Sequence, residues 1–386
     1  MLHLTVHYSV IMGFYWSNFT ILYSYASVYL LEQGFRNTDI GLMTALAALL
    51  SAVFQPILGA YADRPRSPSV KVLFLILTGL FLGVTAVIPL AVGKSPLILI
   101  TAYGAALMLM QTMTPLSNAL GTLSVGAGHY VNFGIARGIG SLSCAVISLI
   151  MGRISSTHGV SFIPVTAIIA YLILVLCVLP FPFRKNAVTA PREKGGSFLR
   201  KYPSFVILLV SACCLYSSHI LLTNYTFQIV SFKGGDSESL GIAVAIAALS
   251  ELPIMFGFTR LLKRMSAEKW LVLSGFAFLA KCVATLLVPD VLSYYFVQTL
   301  QLLGYAVITV ASVYYIAGIM EPQDAVKGQA FFTMTNTAGA VLASALGGWM
   351  LDAHGVTALL VTATVFAGAG AVIMCLGIRR RSSSGA

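Results

Sequence analysis

Three charged side chains stand in stretches that otherwise read as hydrocarbon. In "AALSELPIMFGF" (247–258) Glu251 has apolar residues for at least a turn on either side, and the next charge is Arg260. Lys281 is equally isolated in "FLAKCVATLL" (278–287), and Arg137 lies in "NFGIARGIGSLSCA" (132–145). A lone charge at the centre of a bilayer costs roughly 2.5 kcal/mol or more. A chain that keeps one uses it for pairing, proton transfer or ligand binding. Glu251 is about 14 Å along a helix from Arg260, and Lys281 about 18 Å from Lys269, at 1.5 Å per residue. Antiparallel helices meeting at that basic end bring the acid and the amine within about 5 Å in depth. The chemistry this suggests is a carboxylate that gains and loses a proton beside an amine; a purely structural ion pair is the other reading.

Such a pair needs elements to hold it. Of 386 residues, 58% are hydrophobic and 9% charged, against about 25% charged in a soluble domain. A bilayer core needs roughly 20 apolar residues per helix, and twelve such runs occur. They lie near 4–31, 38–61, 71–92, 96–122, 134–156, 161–182, 204–231, 239–262, 269–288, 291–318, 328–351 and 356–378. The first is too long for a signal segment and no small-residue cleavage site follows it, so it counts as a helix. The expected fold is an all-α membrane protein of twelve transmembrane helices.

The net charge of +11 is a matter of topology. With both termini cytoplasmic, inner loops hold 17 of the 23 basic residues, including Arg64, Arg66, Lys201, Arg260, Lys327 and Arg379 to Arg381. Outer loops and helix ends hold Arg36, Lys94, Arg153 and Lys233. That asymmetry orients helices during insertion. It predicts a multi-pass protein of the plasma membrane, with lipid as its surroundings and no nucleic-acid partner. The cysteines Cys144, Cys177, Cys213, Cys214, Cys282 and Cys375 fall in apolar runs without a CxxC or a histidine at ligand spacing. They read as apolar filler, and no metal is expected.

The chain also repeats itself. "SLIMGRISSTHGV" (148–160) and "SALGGWMLDAHGV" (344–356) match at Ser148/Ser344, Gly152/Gly348, His158/His354, Gly159/Gly355 and Val160/Val356, all 196 residues apart. Pro56-Ile57 and Pro253-Ile254 pair at nearly the same offset. Duplication predicts two pseudo-symmetric six-helix bundles, 1–182 and 204–378. A basic Pro- and Gly-containing linker (183–203) joins them, and a tail (379–386) follows. Parallel six-helix repeats are a transporter architecture with the site between them near mid-bilayer.

"GAYADRPR" (59–66) resembles the G-x-x-x-D-R-x-x-R/K signature of the major facilitator superfamily, with Gly59, Asp63 and Arg64 in place and Arg66 one position early. The resemblance implies a conformational latch; a plain positive-inside loop is the alternative. "NFGIARGIGSLSCA" is similar to the start of helix five in the lactose permease, 3-phenylpropionate and nucleoside:proton symporter group, which implies that Arg137 binds substrate. By spacing alone Arg137 reads equally as a snorkelling residue. In "TPLSNALG" (114–121) Asn118 stands where that group carries the acid paired to the arginine. "SELPIMFGFTRLLKR" is similar to helix eight of the same permeases, where a glutamate serves binding and coupling, and Glu251 falls on it; Lys281 falls on a helix-nine arginine. Other positions depart: Gln301 stands at a helix-ten histidine and Gly304 at a glutamate, while helix seven offers Ser217, His219, Asn224 and Gln228 and helix eleven offers Asn336.

These readings imply uptake of a small organic solute (a sugar, nucleoside or aromatic acid) with protons, by alternating access, in a monomer that needs the proton gradient and no cofactor. Tyr15, Trp16, Tyr23, Tyr25, Tyr216, Tyr225, Tyr305 and Tyr314 offer rings to a ligand or to packing. Efflux or facilitated diffusion on the same fold is the alternative, although "GIGSLSCAVISLIMG" (138–152) lacks the proline of the antiporter signature. No HExxH, GxSxG, Walker loop or aspartate-rich pair occurs, so enzyme chemistry is not expected.

Overall fold

The computed structural model describes residues 2–62, 64, 66–126, 131–182 and 198–384, and every regular element among them is helical. Nine helices among these residues are long and apolar enough to cross a membrane, and Phe162–Val178 is a shorter apolar one. The last of the nine, Lys327–Gly377, contains two helices run together across Gly355, whose φ is 79°. Large apolar side chains point outward, among them Leu97, Leu176, Leu287 and Phe296, each about 70% exposed. Small polar side chains are buried instead, such as Asn18, Thr78, Thr85, Ser211 and Ser218. That is the distribution of a bundle solvated by lipid, where helices associate through close packing and internal hydrogen bonds.

Contacts divide the chain into two compact units, Met1–Pro191 with Asp236–Ala245, and Arg192–Gly235 with Ile246–Ala386. In the first, Leu2–Phe19 packs on Phe133–His158, and Val70–Ala91 packs on Pro96–Gly126. In the second, Pro203–Asn224 and Ala267–Leu287 both pack on the long Pro322–Ser384 element. Most of the expected linker, 183–197, lies outside the described residues; its end forms one helical turn, Phe198–Lys201.

Three runs that the sequence presents as continuous are broken. Leu2–Phe19 passes through a π-turn at Thr20–Ser24 before Ala26–Glu32, and Pro203–Asn224 yields to Thr226–Phe232 at Tyr225. The backbones at the two breaks match: Tyr25 has φ −100° and ψ 8°, Tyr225 φ −112° and ψ 23°. Each tyrosine is buried and donates its hydroxyl to a backbone carbonyl, Tyr25 to Ser148 at 2.5 Å and Tyr225 to Ser344. The turns that follow also repeat. Gly34 (φ 84°) and Gly234 (φ 83°) donate to Leu31 and Ser231, in left-handed helix terminations that favour glycine. The third break separates Val291–Gln298 from Tyr305–Ile319 by a 3-10 turn at Thr299–Leu302 and by Gly304, at φ −84° and ψ −92°. It has no counterpart in the first-half pattern just described, and it carries Gln301.

Within the first unit the beginning of Ser237–Leu261 lies against the end of Phe133–His158. A Cβ on Gly241 would sit 2.4 Å from the Ser148 carbonyl oxygen and 3.0 Å from the Tyr25 hydroxyl, so only glycine fits. Arg153 donates to Glu238 at 2.8 Å and Ser156 to Asp236 at 3.0 Å alongside.

Candidate functional site

In the second unit three helices converge on one polar chain. Ser237–Leu261 carries Glu251, Ala267–Leu287 carries Lys281, and the 3-10 turn carries Gln301. Lys281 Nζ donates to Gln301 Oε1 at 2.6 Å, and Gln301 Nε2 donates to Glu251 Oε1 at 3.0 Å. Lys281 and Gln301 are each 4% exposed, and Glu251 is half-buried. The acid and the amine thus meet through an amide, where the sequence led to a face-to-face pair. The reason is the 3-10 turn, which mounts Gln301 between the two helices. An ammonium in so dry a place is tolerable only beside an acceptor and an anion.

An aromatic cluster borders this chain. The His219 ring stacks on Tyr305 at 4.5 Å between centroids and meets Phe278 edge-on at 5.9 Å. Tyr216 packs edge-on against Tyr305 and Phe332. His219 is one of the polar residues that the helix-seven stretch offers in the sequence, without a motif to mark its role. Asn224 donates to Ser344 Oγ at 2.7 Å, Gln228 is buried and Asn336 half-buried.

The first unit holds the other membrane cation. Arg137 opens a helix whose start is capped by Asn132, which accepts from Ile135 N–H at 3.1 Å. Its guanidinium lies 4.1 Å from the centroid of the Trp16 ring and donates to Ser141 Oγ at 3.0 Å. Gly140 makes the approach possible, since a Cβ there would lie 2.8 Å from Trp16. Arg137 therefore rests on an aromatic face and a hydroxyl. Asn118, the expected partner, has its backbone carbonyl 3.4 Å from the Tyr8 hydroxyl instead. Of the latch residues, Asp63 lies outside the described residues; Arg64 and Arg66 are exposed, with Arg64 5.8 Å from the Tyr61 ring centroid, and nothing within 4 Å would meet a Cβ on Gly59.

A second ionic cluster lies beyond the membrane-spanning helices of the second unit. Lys201 reaches Glu321 and Asp324, both at 2.9 Å, and the Tyr202 hydroxyl donates to Asp324 at 2.7 Å. The Lys201 and Tyr202 donors hold the Asp324 carboxyl below its ordinary range, and the same acids hold Lys201 above its own. Sequence reasoning missed this clamp, because 123 residues separate Lys201 from Asp324.

A family model described as "MFS_1 like family" matches residues 5–361. The chain belongs to that family. It is 23% identical over 373 residues to the maltose permease of Geobacillus stearothermophilus, across 95% of this chain and 93% of that protein. It is 25% identical over 282 residues to the uncharacterized transporter YwbF of Bacillus subtilis (strain 168), across 70% of this chain and 67% of that one. Among solved structures, the nucleoside transporter NupG superposes with a TM-score of 0.78 at 15% identity, covering 97% and 98% of the two chains. A bacterial homolog of the human lysosomal transporter Spinster, in an inward-facing conformation, gives 0.69 at 14%, covering 98% and 96%. These structural likenesses are of fold. The chain is a multi-pass membrane transporter of the major facilitator fold, and its relatives are transporters rather than enzymes.

Proposed function

We propose that this transporter carries a small hydroxylated solute, of the sugar or nucleoside class, inward with protons through alternating access. The observation that carries the reading is the buried Lys281–Gln301–Glu251 chain. An acid and an amine held in a nearly dry bundle cost too much to serve as filler. A carboxylate whose partner docks or departs has two proton affinities, which is what coupling requires. Arg137 on Trp16 supplies a second polar anchor with guanidinium donors to spare. The names of the maltose permease and the nucleoside transporter favour substrates with several hydroxyls.

In this reading twelve helices cross the plasma membrane as two six-helix halves, 1–182 and 204–378, with both termini cytoplasmic. Asn118, Asn224, Gln228 and Asn336 contribute polar contacts, and Gly59, Asp63, Arg64 and Arg66 act as the latch. The protein works as a monomer, without a cofactor. Reconstituted protein, offered radiolabelled maltose and uridine with and without an inward acid gradient, tests it. Accumulation of either solute that collapses with the gradient supports the reading. Equal uptake with and without the gradient overturns the proton coupling.

A further inference from the structure

The two hydrogen bonds of Gln301 have a direction. An ammonium has three donors and no acceptor, so the atom 2.6 Å from Lys281 Nζ is the amide oxygen. That leaves the NH2 group to face Glu251 at 3.0 Å, and a donor there needs an acceptor. Were the amide turned over, Nε2 would point at the ammonium, donor against donor, and Oε1 would point at a carboxylate, acceptor against acceptor. Gln301 is 4% exposed, so water is poorly placed to repair either mismatch. With Lys281 docked, only one orientation is open to the amide, and its NH2 donor favours the unprotonated form of Glu251, because a charged carboxylate accepts more strongly than a neutral acid. With Lys281 withdrawn, the amide is free to turn and offer its carbonyl to a protonated acid. Its mounting suits such movement: Gln301 sits on the 3-10 turn, four residues before the helix that restarts at Tyr305 after Gly304.

We propose that Gln301 is a positioning residue whose amide orientation ties the protonation of Glu251 to the docking of Lys281. This rests on the reading of Glu251 as the coupling carboxylate. Other titratable groups border the relay and stay in place through the test. They are His219 and Tyr216 on Pro203–Asn224, Cys282 beside Lys281, and Tyr305 after the break.

The experiment is an infrared pH titration of the full chain in lipid. It follows the C=O stretch of protonated Glu251, identified as the band lost in Glu251→Gln. Gln301→Leu, with Lys281 intact, is expected to move the midpoint of that band by at least about one pH unit, a tenfold change in proton affinity. In a Lys281→Met background the amide is no longer oriented, and Gln301→Leu is expected to change the affinity less than about twofold, a non-additive cycle. Should Lys281→Met fail to fold, Lys281→Gln serves, being neutral and able to face either orientation. A Gln301→Leu shift equal in both backgrounds overturns the proposal, because Gln301 would then be a simple donor. So does no shift in either background, or no band lost in Glu251→Gln. Proton binding is read here without any transported solute, so failure of this inference and failure of the uptake reading are told apart.

Discussion

The two units hold their membrane cations by different means. In the first, Arg137 lies on the face of Trp16 and donates to Ser141, neutral partners both. In the second, Lys281 is fixed through an amide to a carboxylate. Elsewhere the two units share a feature: a tyrosine at a helix break bonded to a serine carbonyl, and a positive-φ glycine at the turn that follows, and these are brackets of one kind. The parts that set backbone geometry are shared between the units, and the charged chemistry is not. A guanidinium on a ring stays charged and presents donors. An ammonium tied to an acid belongs to a pair whose members can exchange partners and protons.

That contrast breaks most sharply on removal of each cation. Lys281→Met removes the cation from a buried polar chain that ends on a carboxylate, and is expected to destabilise the protein by about 3–5 kcal/mol, as loss of one buried charged partner does. Arg137→Met, which leaves neutral groups behind, is expected to cost about 1–2 kcal/mol. Thermal unfolding in detergent compares them, and equal losses would erase the distinction. The double variant Lys281→Met/Glu251→Gln is expected to recover most of the larger loss.

The shared brackets offer a finer test. Tyr25→Phe and Tyr225→Phe each remove a hydroxyl from a buried carbonyl contact, and each is expected to cost about 1 kcal/mol. The two should match and add, since they lie in different units. A large inequality in the same unfolding assay would show that one half depends on its bracket and the other does not.

The smallest effect belongs to the exposed clamp. The Asp324 carboxyl is held below its ordinary range by Lys201 and Tyr202. Its stabilising contribution is therefore present above about pH 4, the unfolded carboxylate range, and lost as pH falls through the lower folded value. Hydrogen exchange at residues 198–202 is expected to quicken on acidification, and Asp324→Asn to remove that dependence. The first unit's Arg153–Glu238 pair should be unaffected by the substitution.

Much of the fold was legible because lipid imposes a simple rule on composition. Long apolar runs with few charges pointed to membrane-spanning helices, and the described residues form them. The breaks at Tyr25, Tyr225 and Thr299–Leu302 were not legible, since each lies in a run as apolar as its neighbours. For the candidate site, counting residues along two helices put Glu251 and Lys281 at similar depth. It did not reveal Gln301 between them, because a 3-10 turn changes where a side chain emerges. Periodicity assigns a face, not a partner. Hence Trp16, 121 positions before Arg137, was named only among the aromatics, and the Lys201 clamp was missed altogether.

The central claim is that Glu251 couples solute movement to protons, and Glu251→Gln in proteoliposomes tests it most directly. Gradient-driven accumulation of maltose or uridine should fall at least about tenfold, while counterflow of the same solute with no gradient persists. Accumulation and counterflow both at the wild-type level would contradict the account.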